Sequence, residues 1–213
     1  MSREVSAARR AVHGCPDDVA LALALADLRR EAGGAAGGGV TVIGQSLPLS
    51  ASRAEARVAI RQALTQTLAA FFKQPSAAVT LVSRPGQALR VLVPGAAPVQ
   101  ISISHMAGFS LAAIRIGGMV GVDVMAVEAA LLPGWELVAL DYLGPKTAAV
   151  LQRTASAEQA AAFAQAWVDW EARLKCLGLG LTEWTPSLAL QLSACEVQTL
   201  ALPLGVCGAL AWR

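Results

Sequence analysis

The 213-residue chain reads as an α+β protein. Three observations carry that reading. Val99, Ile101 and Ile103 alternate with Gln100, Ser102 and Ser104, the period-2 pattern of a half-buried strand. Two long stretches, from Arg53 and from Ala157, carry apolar residues at helical spacing. Strands and helices then follow one another without a regular β-α-β beat, which disfavours a doubly wound parallel sheet.

In chain order, residues 1–17 read as irregular, and Val19–Leu28 is compatible with a strand or a short helix. The run Gly33–Gly39 is a flexible loop. Ser50 or Ser52 can cap a helix from Arg53 to about Phe72, with Ala56, Ile60, Leu64 and Leu68 on one face and Pro75 beyond its end. Val79–Val82 and Leu89–Val93 are two short strands about the turn Pro85-Gly86. After the alternating strand, which His105 ends, Ser110–Ile116 and Met119–Met125 read as a hairpin about Gly117-Gly118. Residues 126–155 resist assignment. A helix from about Ala157 to Leu177 has Ser156 and Gln159 spaced for a capping box and Gly178 as its stop. Its stripe is Phe163, Trp167, Trp170, Leu174 and Leu177. Leu188–Leu192, Val197–Leu202 and Val206–Trp212 read as closing strands. The expected division is an irregular 1–17, a first α+β half over 18–103 and a second over 104–213.

Composition narrows the function classes. Apolar residues make up 55% of the chain, enough for a real core and against disorder. The charge-free apolar runs are short or broken by Pro203, Gly205 and Gly208, so no membrane span is expected. Val12-His13-Gly14-Cys15 lacks the preceding apolar run that a lipoprotein signal needs, so a cytoplasmic protein is expected, with Cys15, Cys176, Cys195 and Cys207 reduced. A net charge of +2 without a basic, aromatic-laced stripe argues against nucleic acid. Charge is uneven all the same. Residues 1–100 hold 11 Lys+Arg against 6 Asp+Glu, and residues 101–213 hold 6 against 9. Such a division suits a site that grips phosphate on one side and a metal on the other.

Three segments carry residues able to do chemistry: Ile101-Ser102-Ile103-Ser104-His105, Val120-Gly121-Val122-Asp123-Val124-Met125, and Trp167 to Gly178. Each has an ordinary structural reading. His105 at a strand end can be a hydrogen-bonded core histidine. Glu171 and Lys175, four apart on one helical face, can be a surface ion pair contributing roughly 0.3–0.5 kcal/mol. Asp123 is less easily dismissed, because an ionised carboxylate on an apolar strand needs a partner or a metal. Ser104 and His105 are adjacent on a strand and point to opposite faces, which excludes them as a nucleophile–base couple.

Taken in order, Ser104-His105, then Gly121-x-Asp123, then Trp167, Glu171, Ala172, Lys175, Gly178 and Gly180 resemble the surfactin-synthetase type of phosphopantetheinyl transferase. The likeness is specific over residues 99–184 and looser over Arg53–Leu64, where Arg57 and Arg61 resemble an arginine-rich helix. Arg84-Pro85-Gly86-Gln87-Ala88 stands at a Gly-Lys-Pro turn. The resemblance implies two similar, pseudo-dimeric α+β halves with the active site between them. It implies a transferase that moves 4′-phosphopantetheine from coenzyme A to a serine of an acyl or peptidyl carrier protein. By that resemblance Asp123 is a Mg²⁺ ligand and Glu171 a second ligand or general base. Lys175 neutralises pyrophosphate, and Ser104, His105, Arg53, Arg57, Arg61 and Gly86 serve coenzyme A. Three departures stand out: Met125 where many members have an acidic residue, Trp170 in place of a lysine near the phosphates, and Gln87-Ala88 in place of Lys-Pro. They leave open a weakened paralogue that only binds a carrier protein or coenzyme A.

Overall fold

A computed structural model describes residues 10–14, 39–83, 89–131 and 133–213. The strands are β1 (Arg10–Ala11), β2 (His13–Gly14), β3 (Val40–Ser46), β4 (Thr80–Val82), β5 (Arg90–Leu92), β6 (Val99–Met106), β7 (Phe109–Ile116), β8 (Val120–Ala126), β9 (Glu196–Ala201) and β10 (Val206–Trp212). The helices are α1 (Arg53–Phe72), α2 (Trp135–Val138), α3 (Gly144–Arg153), α4 (Ser156–Cys176) and α5 (Pro186–Leu192), with a π-helical stretch Ala139–Leu143 joining α2 to α3. The class is α+β, with several sheets.

One four-stranded sheet runs β2-β3-β7-β6 and another β1-β9-β10-β8, beside a small β4-β5 pair. The strand order of the two large sheets arises alike. In the first, β3 leads to α1 and then to the β6–β7 hairpin, whose second strand pairs antiparallel with β3. In the second, β8 leads through the helices to the β9–β10 hairpin, whose second strand pairs antiparallel with β8. Residues 10–14 stitch the sheets together, β1 running parallel to β9 and β2 parallel to β3.

Alternation along the strands sorts side chains into layers. Ile43, Ala112, Ile114 and Ile101 pack under Ile60, Leu64 and Leu68 of α1. Each large side chain fully withdrawn from water here stabilises the fold by about 1.5–3 kcal/mol. Val42, Leu111 and Ala113 on the opposite face meet Val122, Val124 and Leu210 of the second sheet. On that sheet's other face, Ala209 and Ala211 take Val168, Ala172 and Cys176 of α4. A second side of α4, the stripe Phe163, Trp167, Trp170, Leu174 and Leu177, packs with residues of α2, α3 and α5.

α1 occupies the expected residues. Ser52 caps it by accepting from the Glu55 N–H while Glu55 reaches back to the Ser52 backbone, a capping box. At the end of α4, Gly178 adopts φ 68°. The Gly178 N–H donates to Lys175 O at 3.0 Å and the Leu179 N–H to Leu174 O at 2.9 Å, the Schellman arrangement.

Other expectations change. Ser156 is the first helical residue of α4, not its cap, and Gln159 donates to Leu151 O instead of closing a box. β7 and β8 form no hairpin: both edges of β7 are taken, by β3 and by β6, so Gly117-Gly118 carries the chain to the other sheet. Leu188–Leu192 lies in a helix because Thr185 accepts from the Leu188 N–H and Pro186 presets the first turn. Part of the supposedly irregular N-terminus, Arg10–Ala11 and His13–Gly14, is strand. The division expected after residue 103 falls inside β6, which pairs with β7 along its length. The readings of 19–28, of the glycines 33–38 and of the turn 84–88, Gly86 included, lie outside the described residues. Among the described residues no helix is long and apolar enough to cross a membrane.

Candidate functional site

The site begins with a missing side chain. Gly121 lies in the interior of β8, and a Cβ there would drive into Ala172 O and the Cys176 backbone N of α4. The helix backbone therefore rests directly on the strand, closer than any other residue would permit. Asp123 is two residues further along β8, on the same face. Its side chain is 7% exposed and meets the polar residues flanking that contact.

Four side chains from three elements converge there. Lys175 Nζ of α4 stands 2.6 Å from Asp123 Oδ1 and 3.6 Å from Glu171 Oε2. Ser104 of β6 donates its hydroxyl to the same Asp123 oxygen at 2.6 Å, and Lys175 Nζ lies 3.3 Å from Ser104 Oγ. One ammonium within reach of both carboxylates holds the two oxygens no more than about 6 Å apart, within the span of one hydrated or phosphate-bridged cation. β6 can contribute because it is the edge strand of its sheet and runs beside β8, the edge of the other. Ser102 ties the edges together by accepting the Val122 N–H at 3.0 Å.

Glu171 is held from its far side. Trp167 Nε1–H donates to Glu171 Oε1 at 3.1 Å, and the indole is fixed by stacking on Phe163, with centroids 5.9 Å apart, and by Tyr142 at 5.6 Å. Burial raises the Glu171 pKa, and the charge of Asp123 adds to the rise; Lys175 and the Trp167 bond oppose it. Burial outweighs the neighbouring charge in that rise, and Lys175 compensates both carboxylates.

Across a cleft of about 440 Å³ lies a cationic wall. Arg57 and Arg61 of α1, His105 of β6, and Lys175 with Gly178–Gly180 line it. His105 Nδ1 shares a hydrogen with Ser110 Oγ at 2.7 Å. Its pKa is lowered, first by burial and then by the positive charges of Arg53, Arg57, Lys175 and Arg61. Arg53 and His105 also face a second, smaller hollow of about 310 Å³. All three arginines thus act on one imidazole, as their spacing of four along a helix allows.

Ser104, Asp123, Glu171 and Lys175 form one cluster, and His105, Arg57 and Arg61 line the adjoining cleft with Lys175 shared between them. Ser104 and His105 point apart, as strand alternation requires. Two of the noted departures look different in three dimensions. Trp170 is buried in the apolar cluster with Leu174 and Phe163, not near the cationic wall, because one residue before Glu171 turns a side chain about 100° around the helix. Met125 packs on α4 in the same apolar surroundings, where its thioether is a filler. Sequence reasoning gave no task to Gly121, Trp167 or Ser102. A glycine inside an apolar strand was the available signal for the first, and an indole four residues before a glutamate for the second. Nothing local marks Ser102.

Among the described residues no three or more His, Cys, Asp or Glu side chains form a metal-type cluster. Compared with known proteins, the chain matches no family model and no curated protein.

Proposed function

We propose that the protein is a Mg²⁺-dependent transferase that moves 4′-phosphopantetheine from coenzyme A to a serine of an acyl or peptidyl carrier protein, releasing 3′,5′-ADP. The observation that carries the reading is the convergence of Ser104, Asp123, Glu171 and Lys175, with Lys175 also lining a cleft walled by Arg57, Arg61 and His105. Lys175 joins the carboxylate cluster to the cationic cleft, an arrangement that suits a diphosphate ligand beside a metal. The repeated strand order, β3-α1-β6-β7 and β8-α4-β9-β10, supports the pseudo-dimeric arrangement, with the cleft lying between its two parts.

The donor set fits the metal. Asp123 and Glu171 supply hard carboxylate oxygens, Ser104 a hydroxyl beside them, and Mg²⁺ commonly takes one or two carboxylates and completes its octahedron with phosphate and water. Met125, packed on α4, contributes nothing to it. Held by those oxygens, Mg²⁺ would supply charge stabilisation for a diphosphate leaving group. The remaining work falls to the chain itself. Arg57, Arg61 and His105 meet the phosphates of coenzyme A, with Arg53 adding charge behind His105. Lys175 neutralises the diphosphate from the helix side. Glu171 is the second metal ligand or, where Asp123 alone holds the metal, the base that accepts the proton of the incoming serine hydroxyl.

The test is intact-mass spectrometry of a panel of apo carrier proteins incubated with the protein, coenzyme A and Mg²⁺. A carrier should gain one phosphopantetheine group with 3′,5′-ADP in the supernatant. No gain on any carrier, while a known transferase loads them in parallel, would overturn the reading.

A further inference from the structure

Lys175 belongs to both walls of the site. Its ammonium lies 2.6 Å from Asp123 Oδ1, 3.6 Å from Glu171 Oε2 and 3.3 Å from Ser104 Oγ, among the oxygens assigned above to the metal. The same side chain lines the cleft with Arg57, Arg61 and His105, and 29% of it is exposed. Its stem leaves α4 one residue before Cys176, whose backbone rests against Gly121, so the ammonium is delivered to the carboxylates by the closest helix–strand contact of the site. Leu177 caps the helix and Gly178 ends it, and a Cβ added at Gly178 or Gly180, which line the same cleft, would meet nothing within 4 Å.

We propose that Lys175 is a built-in competitor of the metal: it and a divalent cation contend for the same oxygens of Asp123 and Glu171, so metal entry requires Lys175 to turn into the cleft, toward the phosphate positions. The inference rests on the reading of Asp123 and Glu171 as metal ligands and adds a regulatory property to it. A divalent ion sharing Asp123 Oδ1 with the ammonium would stand within roughly 4 Å of it, a separation at which salt screens little of the repulsion. A phosphate in the cleft gives Lys175 another partner. Metal and phosphate ligand thereby favour each other, and the coupling is reciprocal because it is a property of one equilibrium. The device explains why a lysine able to reach phosphate is folded back onto carboxylates. It keeps the paired anions compensated and makes the protein bind metal poorly by itself.

The experiment is a titration of the full chain with Mn²⁺ alone at pH 8, reading free Mn²⁺ by electron paramagnetic resonance, with no nucleotide and no carrier present. Lys175→Met, which keeps the side-chain length and removes the charge, should bind Mn²⁺ at least about tenfold more tightly than the wild type. Lys175→Arg, which restores the charge, should bind as weakly as the wild type. Asp123→Asn should bind in no background. Equal affinity in the wild type and Lys175→Met, with binding lost in Asp123→Asn, would overturn the competition and leave the metal site standing. Absence of Mn²⁺ binding in every form would overturn both. Circular dichroism of each variant identifies any that fails to fold, and Lys175→Gln then takes the place of Lys175→Met with the same expected gain.

Discussion

α1 and α4 occupy equivalent places in the two β-α-β-β runs, yet they contribute opposite halves of the site. α1 packs on its sheet through a single face, Ala56, Ile60, Leu64 and Leu68, and leaves Arg53 and Arg57 in solvent. α4 is buried on two sides, by the second sheet and by the cluster of α2, α3 and α5. A helix with one wet face can carry a stripe of arginines at little cost, because guanidinium groups stay hydrated. A helix covered on two sides cannot leave charge unpaired. Its Glu171 and Lys175 sit on the narrow strip between the two apolar faces, bonded to each other, to Trp167 and to Asp123. The contrast teaches that one strand–helix arrangement yields a loose cationic wall or a rigid anionic cluster according to how much of the helix is covered. Gly121 sharpens the difference, since it brings α4 against its strand with no side chain between.

Asp123→Asn and Glu171→Gln each remove one member of the rigid cluster, and transfer should fall at least about a hundredfold while the circular dichroism spectrum is unchanged. Retained transfer would mean that the cluster is a structural ion pair.

Gly121→Ala tests rigidity without touching a charge. The added methyl meets the α4 backbone, which has no rotamer to retreat into. Stability should fall by about 1–3 kcal/mol in urea unfolding. Activity should fall more than the unfolded fraction explains, because the displaced helix carries Glu171 and Lys175. Arg57→Ala, on the exposed face of α1, should leave stability within about 0.5 kcal/mol.

On the cationic wall the effects should be smaller and ligand-dependent. If His105 meets the 3′-phosphate, His105→Ala should weaken coenzyme A by about tenfold, the loss of one charge-assisted hydrogen bond, and leave dephospho-coenzyme A nearly unaffected. Equal losses in calorimetric binding of the two ligands would move the contact elsewhere.

The least of the expected effects is in pH dependence, where the two walls carry opposite signs. Glu171 binds protons more tightly folded than unfolded, so it costs stability as pH rises from its ordinary value of 4.5 through its raised one. Glu171→Gln should therefore lose less melting temperature than the wild type as pH rises from 4 to 8. His105 binds protons less tightly folded than unfolded, so its contribution is present above the ordinary 6.5 and is lost as pH falls through the lowered value. His105→Gln should lessen the fall in melting temperature below pH 6. Thermal melts across pH 4–8 decide both signs, and parallel curves for wild type and variants would remove the electrostatic contrast.

Local signals made much of this architecture legible. The period of apolar residues marked α1, α4 and β6. Ser52 and Gly178 marked helix ends, because capping and left-handed backbone are satisfied within a few residues of the chain. The reading of β7 and β8 as a hairpin failed because strand partners are chosen by which edges are free, and the two residues at Gly117-Gly118 hold no record of β3 having taken that edge. Leu188–Leu192 failed for a different reason: leucines at every second position over five residues suit a strand, and the Thr185 cap with Pro186 started a helix instead.

By itself the sequence determined which residues could carry charge chemistry, and on which faces. Ser104 and His105 had to diverge on a strand, while Glu171 and Lys175 had to be neighbours on a helix. Only the tertiary structure decided that Asp123, on β8, and Ser104, on β6, meet Lys175 from 52 and 71 positions away. It also placed Trp170 in the core and left His105 beside three arginines. Burial, edge pairing and the close approach at Gly121 are long-range packing outcomes, set by which surfaces remain after every other element has found its partner, and no local spacing encodes them.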